Sequence, residues 1–200
     1  MCRKIIDLST PASNETDGVT ITLQDKLPVY MGHECYAYDL AIRSHTGTYF
    51  ETSSHVFRGG KNTSEVPLEK LIAPAVCISV SGQGRCIYTS EIEKACGHID
   101  PGRAILINFH KRTDRYFPRD AAAWMAEKKV VLMGSNTKGY DSGFENPTGF
   151  FVELFKAEIP IIANLKNLEK LPKQGFTLVV LPLSIEGICT VPCRAAAIIE

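Results

Sequence analysis

Several features that would place a protein in a well-defined class are missing from this chain of 200 residues. No apolar run approaches the roughly 20 residues a membrane-spanning helix requires. Charge of one sign is not in excess: 22 Lys and Arg balance 22 Asp and Glu, so neither a nucleic-acid stripe nor a polybasic membrane patch is indicated. There is no C-x-x-C pair, and the seven cysteines are an odd number whose nearest pair, Cys189 and Cys193, is separated by three residues. That excludes a ribbon-type zinc motif and argues against a disulfide framework, so free thiols in a reducing compartment are expected. No Gly-rich phosphate loop is present, which removes a nucleotide-binding Rossmann unit. Residues 1–7 carry an early acid and no apolar core of the length a signal peptide needs, so a cytoplasmic protein is expected.

What remains is an ordinary composition, 44% hydrophobic and 22% charged, suited to one compact domain over residues 1–200 with a sizeable core. No repeat, linker or low-complexity tract interrupts it. Strands are expected at 3–8, 36–45, 75–80, 104–109, 130–133, 159–162, 176–183 and 195–199, and helices at 89–97, 119–129, 150–157 and 164–170. Ser90 and Glu93 have the spacing of a capping box, and Gly97 suits the stop of that helix. Residues 11–28 read as loop and short hairpin, and residues 134–149 as a long Gly, Asn and Asp loop. Strands and helices interleave without strict alternation, which predicts an α/β (α+β) protein with a mixed sheet.

The densest chemistry lies in His45-Thr-Gly-Thr-Tyr-Phe-Glu-Thr-Ser-Ser-His55. His45, Tyr49, Glu51 and His55 are spaced so that one strand and the turn after it can bring all four to one pocket. Two imidazoles and a carboxylate are a working set for metal binding or proton transfer. A Cys–His nucleophile pair would need Cys189 or Cys193 beside His55, and no sequence signature places either there. Asp141, in the long loop, reads as a turn residue.

This segment resembles the metal-site motif H-x-G-T-H-x-D-x-P-x-H of the cyclase family, which includes bacterial kynurenine formamidases. His45, Gly47, Thr48 and His55 match; Tyr49, Glu51 and Ser53 replace a metal-binding His, a metal-binding Asp and a Pro. Further matches follow in family order: Ile5–Ser9, Pro67–Val76, Thr89–Gly97, Pro101–Ile107, Ala122–Gly134, Leu181–Gly187 and Pro192–Ala195. The resemblance implies a swivelling β/β/α fold assembled into homodimers or homotetramers. It also implies a metal-dependent hydrolase acting on formamides, lactams or lactones.

Family members complete their metal site with a downstream His and with a Glu in a pattern like I-P-I-x-E-N-L. Here Phe150 or Phe151 stands where that His is expected, and Ala163 where the Glu is expected. With Tyr49, three of the ligands that the resemblance implies are replaced, leaving His45 and Glu51 as the donors for any zinc or manganese. Two donors fall short of the three that a catalytic zinc site uses, so no resident cofactor is expected. The expectation is a small-molecule enzyme of hydrolase descent with a degenerate metal site, either hydrolysing a formamide, amide, lactam or lactone or carrying out metal-free acid/base chemistry on a carbonyl compound, such as cyclisation, dehydration or isomerisation. Its substrate would lie against His45, Tyr49 and Phe151, with His55 and Glu51 as the catalytic pair. The alternative is a catalytically silent homologue that binds a small molecule or serves a structural role.

Overall fold

The computed structural model describes residues 3–80, 82, 84–112, 114–143 and 145–199. Twelve strands follow in order: β1 Lys4–Asp7, β2 Val19–Leu23, β3 Val29–Tyr30, β4 His33–Glu34, β5 Tyr38–Ile42, β6 Tyr49–Glu51, β7 Ile72–Ser79, β8 Ala104–Asn108, β9 Leu132–Ser135, β10 Ile161–Ala163, β11 Phe176–Pro182 and β12 Thr190–Ile199. The helices are α1 Leu68–Leu71, α2 Thr89–Cys96, α3 Arg119–Glu127 and α4 Phe150–Lys156.

The main sheet runs β1-β12-β11-β7-β8-β9-β10-β6, and β6 also pairs with β12. That second pairing closes seven strands into a ring, with β1 attached outside it on β12. Strands β7 to β10 are mutually parallel, and the remaining pairs are antiparallel. The mixed sheet expected from the sequence is therefore present.

Parallel strands fed by helices are covered on both faces, and all five residues of β8 are buried. Alternation along the strand sends Ile105 and Ile107 into a core shared with Ile92, Trp124, Met125, Phe150 and Leu154 of α2 to α4. Leu106 enters a second core with Phe50, Leu132, Ile162, Leu178 and Ala197. Strand β6 obeys the same rule: Tyr49 belongs to the helix-side core and Phe50 to the other.

Three local expectations are revised. The helix begins at Thr89 as expected, but its capping box lies two residues before Ser90 and Glu93: Tyr88 is the N-cap, and its N–H donates to Glu91 Oε1 at 3.2 Å. Residues 164–170 contain only a single tight turn, Leu168–Lys170. The expected strand at 195–199 starts at Thr190 and runs through Pro192, whose missing N–H is tolerated where Cys193 N–H supplies the bond to Thr48 O at 2.9 Å.

The strand expected at 36–45 is shorter and differently placed. Among the described residues β5 pairs only with β2, and this ribbon and the β3–β4 pair are separate from the main sheet. Its register sets Tyr38, Leu40 and Ile42 opposite Leu23, Ile21 and Val19, so one ribbon face is wholly apolar. Tyr38, Leu40 and Ile42 are all exposed.

Six cysteines among the described residues are free thiols. The seventh, Cys2, lies outside the described residues.

Candidate functional site

The site is built where β6 ends. Before it, the chain turns at Gly47, whose φ of +62° suits glycine and whose added Cβ would lie 2.9 Å from Thr10 O. Asn164 Nδ2 donates to Gly47 O at 2.8 Å, and Thr48 Oγ1 donates to Asn164 O at 2.8 Å. The Gly-Thr pair of the motif thus fixes the turn that folds His45 back over β6.

After β6 the chain enters a tight turn, Ser53–His55. Buried Ser53 holds it, donating to Glu158 Oε1 at 3.0 Å and accepting from Lys61 N–H at 2.9 Å. Four residues after Glu51, this turn returns His55 to the carboxylate: Nε2 lies 2.9 Å from Glu51 Oε1. His45 Nε2 approaches the same oxygen at 3.9 Å, and the two imidazole rings sit edge to face at 5.5 Å.

Glu51 is nearly wholly buried, whereas both histidines reach solvent. The hydrogen bond to Glu51 raises the His55 pKa to about 9, against the opposing pull of partial burial, and Cys189 adds to the rise. At neutral pH His55 is therefore a proton donor.

Cys189 is the residue that sequence reasoning did not place. Thr52 donates to Cys189 O from both its N–H, at 2.9 Å, and its hydroxyl, at 3.1 Å. This extends the β6–β12 pairing in which Glu51 faces Thr190. The thiol then lies 3.6 Å from His55 Nδ1. The signal was the register of two strands far apart in sequence, and no local motif carries that.

Tyr49 is buried, with its ring 5.0 Å from that of His45. Burial, reinforced by the Glu51 charge, pushes its phenol well above the usual range, so it stays a neutral hydroxyl and not a phenolate ligand. Ala163 faces Tyr49 directly across β6 and β10; the small residue sits opposite the large one. Phe151 is half-buried against Tyr140, Phe150 and Phe155, and it packs on the same core cluster that contains Tyr49. Asp141 accepts from Ser142 and Thr148 N–H, confirming its turn role.

An open cavity of about 480 Å³ lies beside His45, lined also by Asp17, Arg43, Thr46 and Lys138; His45 is the member of the cluster that lines it, and Tyr49, Glu51, His55 and Cys189 do not. That volume is within the range of small-molecule sites.

The family model described as "Putative cyclase" matches residues 6–142. The chain belongs to the cyclase family. Among curated relatives of this family member, an isatin hydrolase from Roseibium aggregatum is 28% identical over 193 residues, covering 80% of this chain and 73% of the relative. A kynurenine formamidase from Maricaulis maris is 24% identical over 201 residues, covering 88% and 94% respectively. The solved structure of an isatin hydrolase bound to the product analogue thioisatinate shares the fold, with a TM-score of 0.80 at 22% identity over 99% of this chain and 93% of that one.

Tyr49, Phe151 and Ala163 do not supply the donors expected at their positions. A different set does assemble: among the described residues, donor atoms of His45, Glu51 and His55 all lie within 4.8 Å of one another. Two imidazoles and a carboxylate meet the minimum of a catalytic zinc site in kind and number. His55 thus joins the two donors expected from the sequence, and a metal-binding triad is available.

Proposed function

We propose that this protein hydrolyses a small carbonyl compound, such as a formamide, lactam, amide or lactone, using Glu51 and His55 as its proton-handling pair. The observation that carries the reading is the 2.9 Å contact between the buried Glu51 carboxylate and His55, at the motif of a hydrolytic family. Glu51 orients the ring and keeps it protonated. His55 then delivers that proton to the nitrogen or oxygen that leaves as the acyl bond breaks. The cavity beside His45 receives the substrate.

His45, Glu51 and His55 would be the donors for a divalent ion, which when bound supplies an acidified water. On our reading such an ion is not required, because three of the positions that hold the family's metals carry Tyr49, Phe151 and Ala163. The protein works in the cytoplasm as a homodimer or homotetramer. The bare apolar face of the β2–β5 ribbon supports assembly, since an uncovered patch of this kind suits a second copy.

The test is turnover of formanilide, isatin and phenyl esters by chelator-treated protein whose metal content is measured. Product should form, and His55→Ala and Glu51→Gln should each lower kcat by about 10²–10⁴-fold. If no carbonyl substrate is turned over with or without zinc or manganese, the silent-homologue reading replaces this one.

A further inference from the structure

We infer that Cys189 is a nucleophile, the third member of a Cys189–His55–Glu51 catalytic triad that attacks the carbonyl carbon itself. The inference rests on the hydrolase reading above and names the group that forms the covalent intermediate.

The geometry is that of a relay. Cys189 Sγ lies 3.6 Å from His55 Nδ1, and His55 Nε2 lies 2.9 Å from Glu51 Oε1. Both ring nitrogens are engaged, one by a thiol and the other by a buried carboxylate. A nucleophile within reach of a base, which is in turn oriented by a third group, is the arrangement that activates Ser and Cys in unrelated folds. The attacking state is the neutral imidazole, formed when His55 has released the extra proton that Glu51 favours; with its remaining proton on Nε2 the ring donates to Glu51 and accepts from the thiol.

The position of the sulfur is fixed by backbone. Cys189 O accepts two hydrogen bonds from Thr52, and Thr190 Oγ1 donates to Sγ at 3.5 Å. Cys189 is partly exposed, so a substrate can reach it. Cys77 and Cys96 are buried in the two cores and Cys35 lies on the exposed ribbon. Among the described cysteines, Cys189 has the hydrogen bond to a histidine.

The reaction balances without a redox partner. Sγ bonds to the carbonyl carbon as its proton passes to His55 Nδ1, giving a tetrahedral oxyanion. Collapse breaks the C–N or C–O bond, the leaving group takes the proton from His55, and a thioester remains on Cys189. Water then attacks the thioester and gives a proton to His55. The C–S bond breaks, sulfur recovers the proton, and the acid is released. One water is consumed per turnover.

The decisive probe is p-nitrophenyl acetate with chelator-treated protein, read as p-nitrophenolate release and as acetyl adducts mapped by peptide mass spectrometry. An initial burst and an acetyl group on Cys189 are expected. Cys189→Ala should abolish the burst and lower kcat by at least ~10²-fold, with KM nearly unchanged, whereas Cys35→Ser should behave as wild type. His55→Ala should slow acylation of Cys189, a readout that a merely structural cysteine would not give. Turnover that is unchanged in Cys189→Ala overturns the nucleophile and leaves the hydrolase reading standing, as does turnover that depends wholly on added metal with no adduct. Acylation of Cys189 without multiple turnover supports the nucleophile and defeats the hydrolase. Neither adduct nor turnover defeats both.

Discussion

Glu51 and His55 stand one tight turn apart in the chain, with Oε1 and Nε2 at 2.9 Å, and the carboxylate is buried while the imidazole reaches solvent. A buried carboxylate needs a partner, and here the partner is a group whose charge can be switched. The same contact raises the His55 pKa to about 9. Glu51→Gln removes the charge and keeps the shape. The His55 pKa in that variant should fall toward its ordinary value of 6.5, followed by NMR titration of the ring protons. A titration unchanged from wild type would show that Glu51 does not set the protonation of His55.

The same shift makes stability depend on pH. His55 binds its proton more tightly in the folded chain than in the unfolded one. Its contribution is therefore fully present below about pH 6.5, is lost progressively as pH rises through about 9, and is gone above that. Urea midpoints for wild type should decline over this window by more than those of His55→Ala. Because His55 is partly exposed, solvent screening will moderate the difference. Parallel profiles for the two proteins would remove His55 from the pH dependence.

Much of this site was readable from one short segment, because strand periodicity and a tight turn are local. The grouping of His45, Tyr49, Glu51 and His55 follows from residues 45–55 alone. Cys189 was not readable: it reaches His55 across a separation of 134 residues, through the pairing of β6 with a strand whose first residues were not recognised. Pro192 concealed that strand, since proline normally argues against a paired interior position. The ribbon shows the opposite error. Alternation of Tyr36, Tyr38, Leu40 and Ile42 with Ala37, Asp39 and Ala41 correctly signals a strand, but periodicity does not say whether the chain itself covers the apolar face. Phe151, expected against the substrate from its position in the family motif, packs its ring on Tyr140, Phe150 and Phe155, contacts that a linear motif does not reveal.

Ala163 opposite Tyr49 yields a prediction about the replaced ligands. Both residues are buried and in register. Ala163→Glu alone would force a carboxylate against the Tyr49 ring and should destabilise the fold by about 3 kcal/mol. Tyr49→His introduces a smaller, metal-competent ring and should relieve part of that cost. Adding Phe151→His to both should increase zinc uptake, measured by elemental analysis after dialysis, above the wild-type level. A stable triple variant with no gain in metal would show that position 151 does not face the site and that the donor belongs elsewhere on α4.

The ribbon makes the assembly testable without touching the site. Leu40 is 63% exposed at the centre of an apolar face completed by Tyr38 and Ile42 and by Ile21 across the pair. A glutamate there leaves the β2–β5 hydrogen bonds intact, because the side chain points away from the ladder. If this face joins two copies, Leu40→Glu must desolvate a charge on association, and the mass measured by light scattering should fall from that of the oligomer to that of one chain. The far-UV spectrum should not change, since one chain already closes the seven-stranded ring. An oligomer that survives Leu40→Glu at micromolar concentration would assign the interface to another surface.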